Sequence, residues 1–94
     1  MILLDMSVVI DSFTGARHSA RALWRVVEKG ERVVPFGPEE ASIAAELYRA
    51  VQRPRGREID LAIAAAAIAL DAELWTLNLG DFRDIPRLRV SAPA

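Results

Sequence analysis

The sequence predicts an α/β domain in which a short, mostly parallel sheet of about four strands is covered by helices. Two observations carry that reading. Short apolar, β-branched runs alternate along the chain with stretches whose apolar residues recur at helical spacing, and Gly or Pro stands at several of the boundaries between them. No repeat, interior linker or low-complexity tract beyond the alanines at 64 to 67 divides the chain, so residues 1 to 94 form one domain.

The first strand is the run Ile2, Leu3, Leu4, closed by Asp5. Residues 16 to 29 place Ala16, Ala20, Leu23, Trp24 and Val27 on one stripe of a helix that stops at Gly30. Residues 32 to 36 make a second strand. Gly37 and Pro38 then open a helix whose positive end suits Glu39 and Glu40, and whose stripe is Ala44, Leu47, Tyr48 and Val51. That helix ends near Pro54, and a third, over 58 to 71, is apolar on nearly every face and therefore buried on several sides. Residues 74 to 77 form the third strand, 78 to 85 a turn with a scrap of helix, and 88 to 90 a short fourth strand. Trp24 and Trp75 are expected to fill the interior.

Composition excludes several kinds of chemistry. Thirteen acids against twelve bases give a net charge of -1, too balanced for a nucleic-acid tail. There is no Cys, so thiolate zinc sites, disulfide scaffolds and cysteine nucleophiles drop out, and a cytoplasmic location fits. A single histidine, His18, rules out paired-histidine zinc motifs and disfavours a serine triad. The longest uncharged apolar run, 61 to 70, falls far short of the roughly 20 residues that span a bilayer, so no membrane partner is expected.

The acids are better placed than their number suggests. In open α/β sheets ligands bind beyond the carboxyl ends of the strands. Asp5 closes the first strand, Asn78 and Asp81 follow the third, and Asp60 lies at the start of the third helix. Each has a plain structural reading: Asp60 as a helix cap worth about 1 kcal/mol, Asp5 as a turn former, Asn78 and Asp81 as residues of a turn-prone stretch. Together they bring oxygen donors from three chain segments to one end of the sheet. A set of that kind, without His or Cys, suits Mg²⁺ or Mn²⁺ rather than zinc or copper. Arg49, Arg53, Arg55 and Arg57 crowd the connection before the third helix, either as a solvated helix end or as contacts for a phosphate backbone.

The segments 2 to 11 (Ile-Leu-Leu-Asp-Met-Ser-Val-Val-Ile-Asp), 60 to 70 (Asp-Leu-Ala-Ile-Ala-Ala-Ala-Ala-Ile-Ala-Leu) and 76 to 82 (Thr-Leu-Asn-Leu-Gly-Asp-Phe), followed by Ile85-Pro86-Arg87-Leu88, resemble the PIN-domain nucleases, and most closely the VapC toxins of toxin-antitoxin pairs. The order and spacing of these motifs carry the likeness. It implies a PIN-like three-layer sandwich, here shortened, and metal-dependent hydrolysis of RNA. Carried over, catalytic roles fall to Asp5, Asp60 and Asp81, metal ligation to Asp5, Asp60 and Asn78 or Asp81, and support of the site to Ser7. RNA contacts fall to Arg49, Arg53, Arg55 and Arg57. The implied cofactor is Mg²⁺ or Mn²⁺, and the implied partners are RNA and a VapB-like antitoxin.

Two departures matter. Met6 stands where the family has Thr, and the segment bearing the second-motif acid is missing, leaving Glu39, Glu40 or Glu46 to compensate. Shortening would also uncover apolar surface, so a homo-oligomer is expected, meeting through Leu47, Tyr48 and Val51 or through the surface of Ala64 to Ala67. The alternative function is a non-catalytic oligomerisation or antitoxin-binding module.

Overall fold

A computed structural model of the chain describes residues 2 to 5 and 36 to 93. They form a mixed α/β unit: β1 (Ile2–Leu4), α1 (Pro38–Ala50), α2 (Glu58–Ala69), β2 (Glu73–Trp75), a 3-10 turn (Leu79–Asp81) and β3 (Val90–Ser91). The helix expected over 16 to 29 and nearly all of the strand expected over 32 to 36 lie outside the described residues. The three described strands are parallel, in the order β1-β2-β3. Parallel neighbours require a crossover. The one between β1 and β2 includes α1 and α2.

Helix α1 starts where proline can occupy a position whose N–H has no helical partner. The Glu40 carboxylate reaches back to accept the Gly37 N–H at 2.8 Å. Of its expected stripe, Leu47 and the capping Val51 are buried, Ala44 is half-buried and Tyr48 remains on the surface. Helix α2 lays Leu61, Ala64, Ala65 and Ala67 into the core with Leu74, Phe82 and Ile85. Alanine lets the helix axis approach its neighbours closely, and it costs no side-chain entropy.

The end of α2 has a definite cause. The Ala72 N–H donates to the Ala67 carbonyl at 2.8 Å and the Asp71 N–H to the Ile68 carbonyl at 3.1 Å. This pair of bonds closes a helix through a left-handed residue, here Asp71 at φ 53°. A non-glycine residue in that region is strained by about 1–2 kcal/mol. Asp71→Gly is therefore expected to raise stability by roughly 0.5–1 kcal/mol, or a few degrees of melting temperature. Asp71 is exposed, so loss of its ion pair with Arg89 offsets little of that gain. A melting temperature at or below that of the parent chain would refute the account.

Three expectations need correction. The dimer faces read from the sequence are internal in large part: Leu47, Val51, Ala64, Ala65 and Ala67 pack against the chain's own core, while Tyr48 is exposed and Ala66 half-buried. The third strand stops at Trp75, and Leu77 is 44% exposed. The turn begins there because the Thr76 hydroxyl accepts the Asn78 N–H at 3.0 Å. Trp75 is only half-buried, its indole Nε1 donating to Glu73 at 2.9 Å. Glu73 also accepts from the Ser91 hydroxyl. These bonds, the Ser91 one foremost, hold the Glu73 carboxyl below its ordinary range. Among the described residues no helix is long and apolar enough to cross a membrane.

Candidate functional site

Strand register builds the site. Leu4 pairs with Trp75, and the Asp5 N–H continues the ladder to the Trp75 carbonyl at 2.9 Å. Asp5 and Thr76 therefore lie side by side just past the carboxyl ends of β1 and β2. Both are buried, Asp5 at 6% exposure and Thr76 at 0%. The Thr76 hydroxyl donates to Asp5 Oδ2 at 2.7 Å while accepting the Asn78 N–H. One donor and one acceptor role fix the direction of its proton. The buried carboxylate is thus held by a hydroxyl that the chain cannot easily turn away.

Asp60 reaches the same edge from the third position of α2. It is not a cap: Arg57 occupies the capping position, and no side chain there bonds the helix end. Burial raises the Asp60 pKa above its ordinary value, and the charges of Asp81 and Asp5 raise it further, while Arg57 pulls the other way. Three acids from three chain segments therefore share one electrostatic neighbourhood. They do not form a ligand shell: among the described residues no three His, Cys, Asp or Glu side chains are grouped so that they could hold a metal ion. The donor set suits a hard cation in its chemistry, and its mutual repulsion is what a cation would relieve, but the spacing is wider than coordination requires.

Asn78 and Asp81 are exposed at the two ends of the 3-10 turn, where the Asp81 N–H donates to the Asn78 carbonyl at 3.0 Å. Ser7 lies outside the described residues, as does Met6. The compensating acids do not gather here. Glu40 caps its own helix, and Glu46 faces Arg87 at 3.6 Å across exposed surface.

The four arginines divide. Arg49, Arg53 and Arg55 are exposed. Arg57 is tied inward: Nη1 and Nη2 bond the two Asp84 oxygens at 2.9 and 2.6 Å, Nη2 also bonds the Asp81 carbonyl at 2.9 Å, and Nη1 the Gln52 carbonyl at 3.2 Å. Hydrogen bonding to Arg57 lowers the Asp84 pKa, and the same pair raises that of Arg57. Sequence reasoning missed Thr76, Asp84 and this role of Arg57. A hydroxyl one residue past an apolar run was the available sign for Thr76, but its partner stands 71 positions away. Compared with known protein-family models and with curated protein sequences, the chain matches none.

Proposed function

We propose that this chain is a PIN-like domain of the VapC type, derived from a metal-dependent endoribonuclease. The reading extends to the three-layer sandwich of that family. The single observation supporting it best is the Asp60 carboxyl, made harder to ionise by burial first and then by Asp81 and Asp5 at the carboxyl edge of a parallel sheet. Such frustration is costly unless the acids serve a cation or a proton. Asp5, Asp60 and Asp81 would hold Mg²⁺ or Mn²⁺, with Asn78 as a further oxygen donor.

The bound ion supplies a more acidic water and a counter-charge for the phosphate. The chain's own residues do the rest. Thr76 holds Asp5 in one orientation through its donated hydrogen bond. Arg49, Arg53 and Arg55, exposed around the end of α1, are suited to contact the RNA backbone without selecting a base. Arg57 is left out of that set because its guanidinium is engaged within the chain. Self-association would use the exposed Phe36, Tyr48 and Ile59 rather than the buried Leu47, Val51, Ala64, Ala65 and Ala67.

A second reading is favoured by one observation, that the acids are not at ion-holding spacing among the described residues. On that reading the domain is a non-catalytic oligomerisation or antitoxin-binding module. One experiment separates the two. Incubation with a mixed RNA substrate is expected to give cleavage with Mg²⁺ or Mn²⁺, lost on chelation and at least about tenfold weaker in Asp60→Asn. Intact RNA under all conditions favours the module, and cleavage surviving both treatments defeats the proposed site.

A further inference from the structure

We infer that the groove between α1 and α2 is a base pocket for single-stranded RNA that selects guanine, with Tyr48 as the stacking surface and Glu58 as the acceptor for the base edge. The inference rests on the proposed function for its substrate class and adds base selection to it. Ala44, Ala45, Tyr48 and Arg49 from α1 and Glu58 and Leu61 from α2 line the groove, whose volume is about 330 Å³. Ligand clefts begin at roughly 300 Å³ and combine mostly apolar walls with a few placed polar groups. Ala44 and Ala45 leave the space open, Leu61 is buried beneath it, and Tyr48 keeps 39% of its surface exposed.

Chemistry chooses the occupant. Sequence in RNA is read on single strands, where bases stack on aromatic rings and offer their Watson–Crick edges. An exposed tyrosine in an apolar groove supplies the stacking face. On the facing helix, Glu58 Oε1 accepts the Gly56 N–H in a long bond of 3.2 Å on exposed surface. A carboxylate accepts several hydrogen bonds and donates none. Its remaining acceptor sites suit guanine, which alone among the four RNA bases presents two neighbouring donors, at N1 and N2, on that edge. Charge fits the strand that carries the base. Arg49 lines the groove, and Arg53 and Arg55 lie in the loop joining the two helices at that end. Among the described residues these three enter no ion pair, whereas Arg57, Arg87 and Arg89 each do. Arg53 is also held at φ 53°, a left-handed conformation that glycine would adopt more easily. Three exposed guanidinium groups beside one carboxylate suit a phosphate backbone with a base turned inward.

The test is fluorescence anisotropy with short labelled oligouridines in a chelating buffer, where neither metal nor cleavage contributes. An oligouridine carrying one central guanosine is expected to bind about tenfold tighter than oligouridine itself. Inosine at that position, which lacks the N2 amine, should lose most of the preference, and so should Glu58→Gln with the guanosine strand. Tyr48→Ala should weaken binding of the guanosine strand about tenfold. Arg53→Gln should weaken every strand alike and flatten the salt dependence. Tyr48 and Glu58 are exposed, so thermal melting should find both variants folded. A parent chain without the preference overturns the inference, as does a preference unchanged in Glu58→Gln or an affinity unchanged in Tyr48→Ala. So does a dimer by light scattering that Tyr48→Ala dissociates while oligonucleotide binding stays intact, since a second copy then covers the groove. The endoribonuclease reading fails separately: RNA left intact with Mg²⁺ or Mn²⁺ removes it, and a guanosine preference without cleavage still supports the pocket.

Discussion

Thr76→Val is expected to destabilise the protein by about 2–4 kcal/mol while preserving side-chain volume. The native hydroxyl makes two bonds in a fully buried position, donating to a carboxylate and accepting from the Asn78 N–H. A hydrogen bond to a charged group contributes about 1.5–3 kcal/mol, and the second, ordinary hydrogen bond adds about 0.5–1.5 kcal/mol. Valine offers neither role. In a chain of this size each kcal/mol moves the melting temperature by roughly 4–8 °C, so a fall of about 10–25 °C should be seen by circular dichroism. Thr76→Ser keeps the hydroxyl and should recover most of the loss, apart from the transfer term for one buried methyl of about 1 kcal/mol. If valine and serine melt alike, the hydroxyl is not what holds the strand ends.

The same residue marks the boundary of what sequence reasoning could reach. Local features were legible. Pro38 and the two glutamates located the start of α1, the apolar density of residues 61 to 70 announced a buried helix, and Asp5 could be placed at a strand end because a charge closes an apolar run. What joins Asp5 to Thr76 is register between strands far apart in the chain, and a one-residue slip would turn each side chain to the opposite face. Nothing in either segment alone fixes that register. Arg57 failed for a related reason: an arginine among arginines looks like solvated charge until Asp84, 27 residues later, is folded onto it.

The misplaced dimer faces have another origin. An apolar stripe states that a surface must be covered and does not state by what. Leu47, Val51, Ala64, Ala65 and Ala67 are covered by elements of their own chain. Among the described residues, large apolar side chains stay exposed at Phe36, Tyr48, Ile59 and Leu77.

Asp60→Asn should produce opposite effects on stability and on cation binding. Its folded-state pKa is raised, first by burial and then by Asp81 and Asp5. A carboxyl raised in this way binds its proton more tightly in the folded state than in the unfolded one. Its penalty is therefore absent below the ordinary carboxylate range, grows as pH rises through the interval up to the folded value, and is complete above it. Asparagine carries no charge at any pH, so the variant should melt higher than the parent at pH 7 and lose that advantage as the pH falls toward the ordinary carboxylate value. Asp84 and Glu73 have lowered pKa values, and their contributions are lost on acidification in both proteins, so the difference between the two melts isolates Asp60. On the proposed cation reading, the order should reverse with Mn²⁺ present. A ligand at 100 times its dissociation constant stabilises the state that binds it by about 2.7 kcal/mol, a gain open to the parent chain and withheld from a variant lacking one of three carboxylates. Two melts at neutral pH, with and without Mn²⁺, therefore decide the matter. If Asp60→Asn is the less stable protein without metal, the carboxyl is not under the strain described. If Mn²⁺ raises both chains equally, Asp60 is not a ligand.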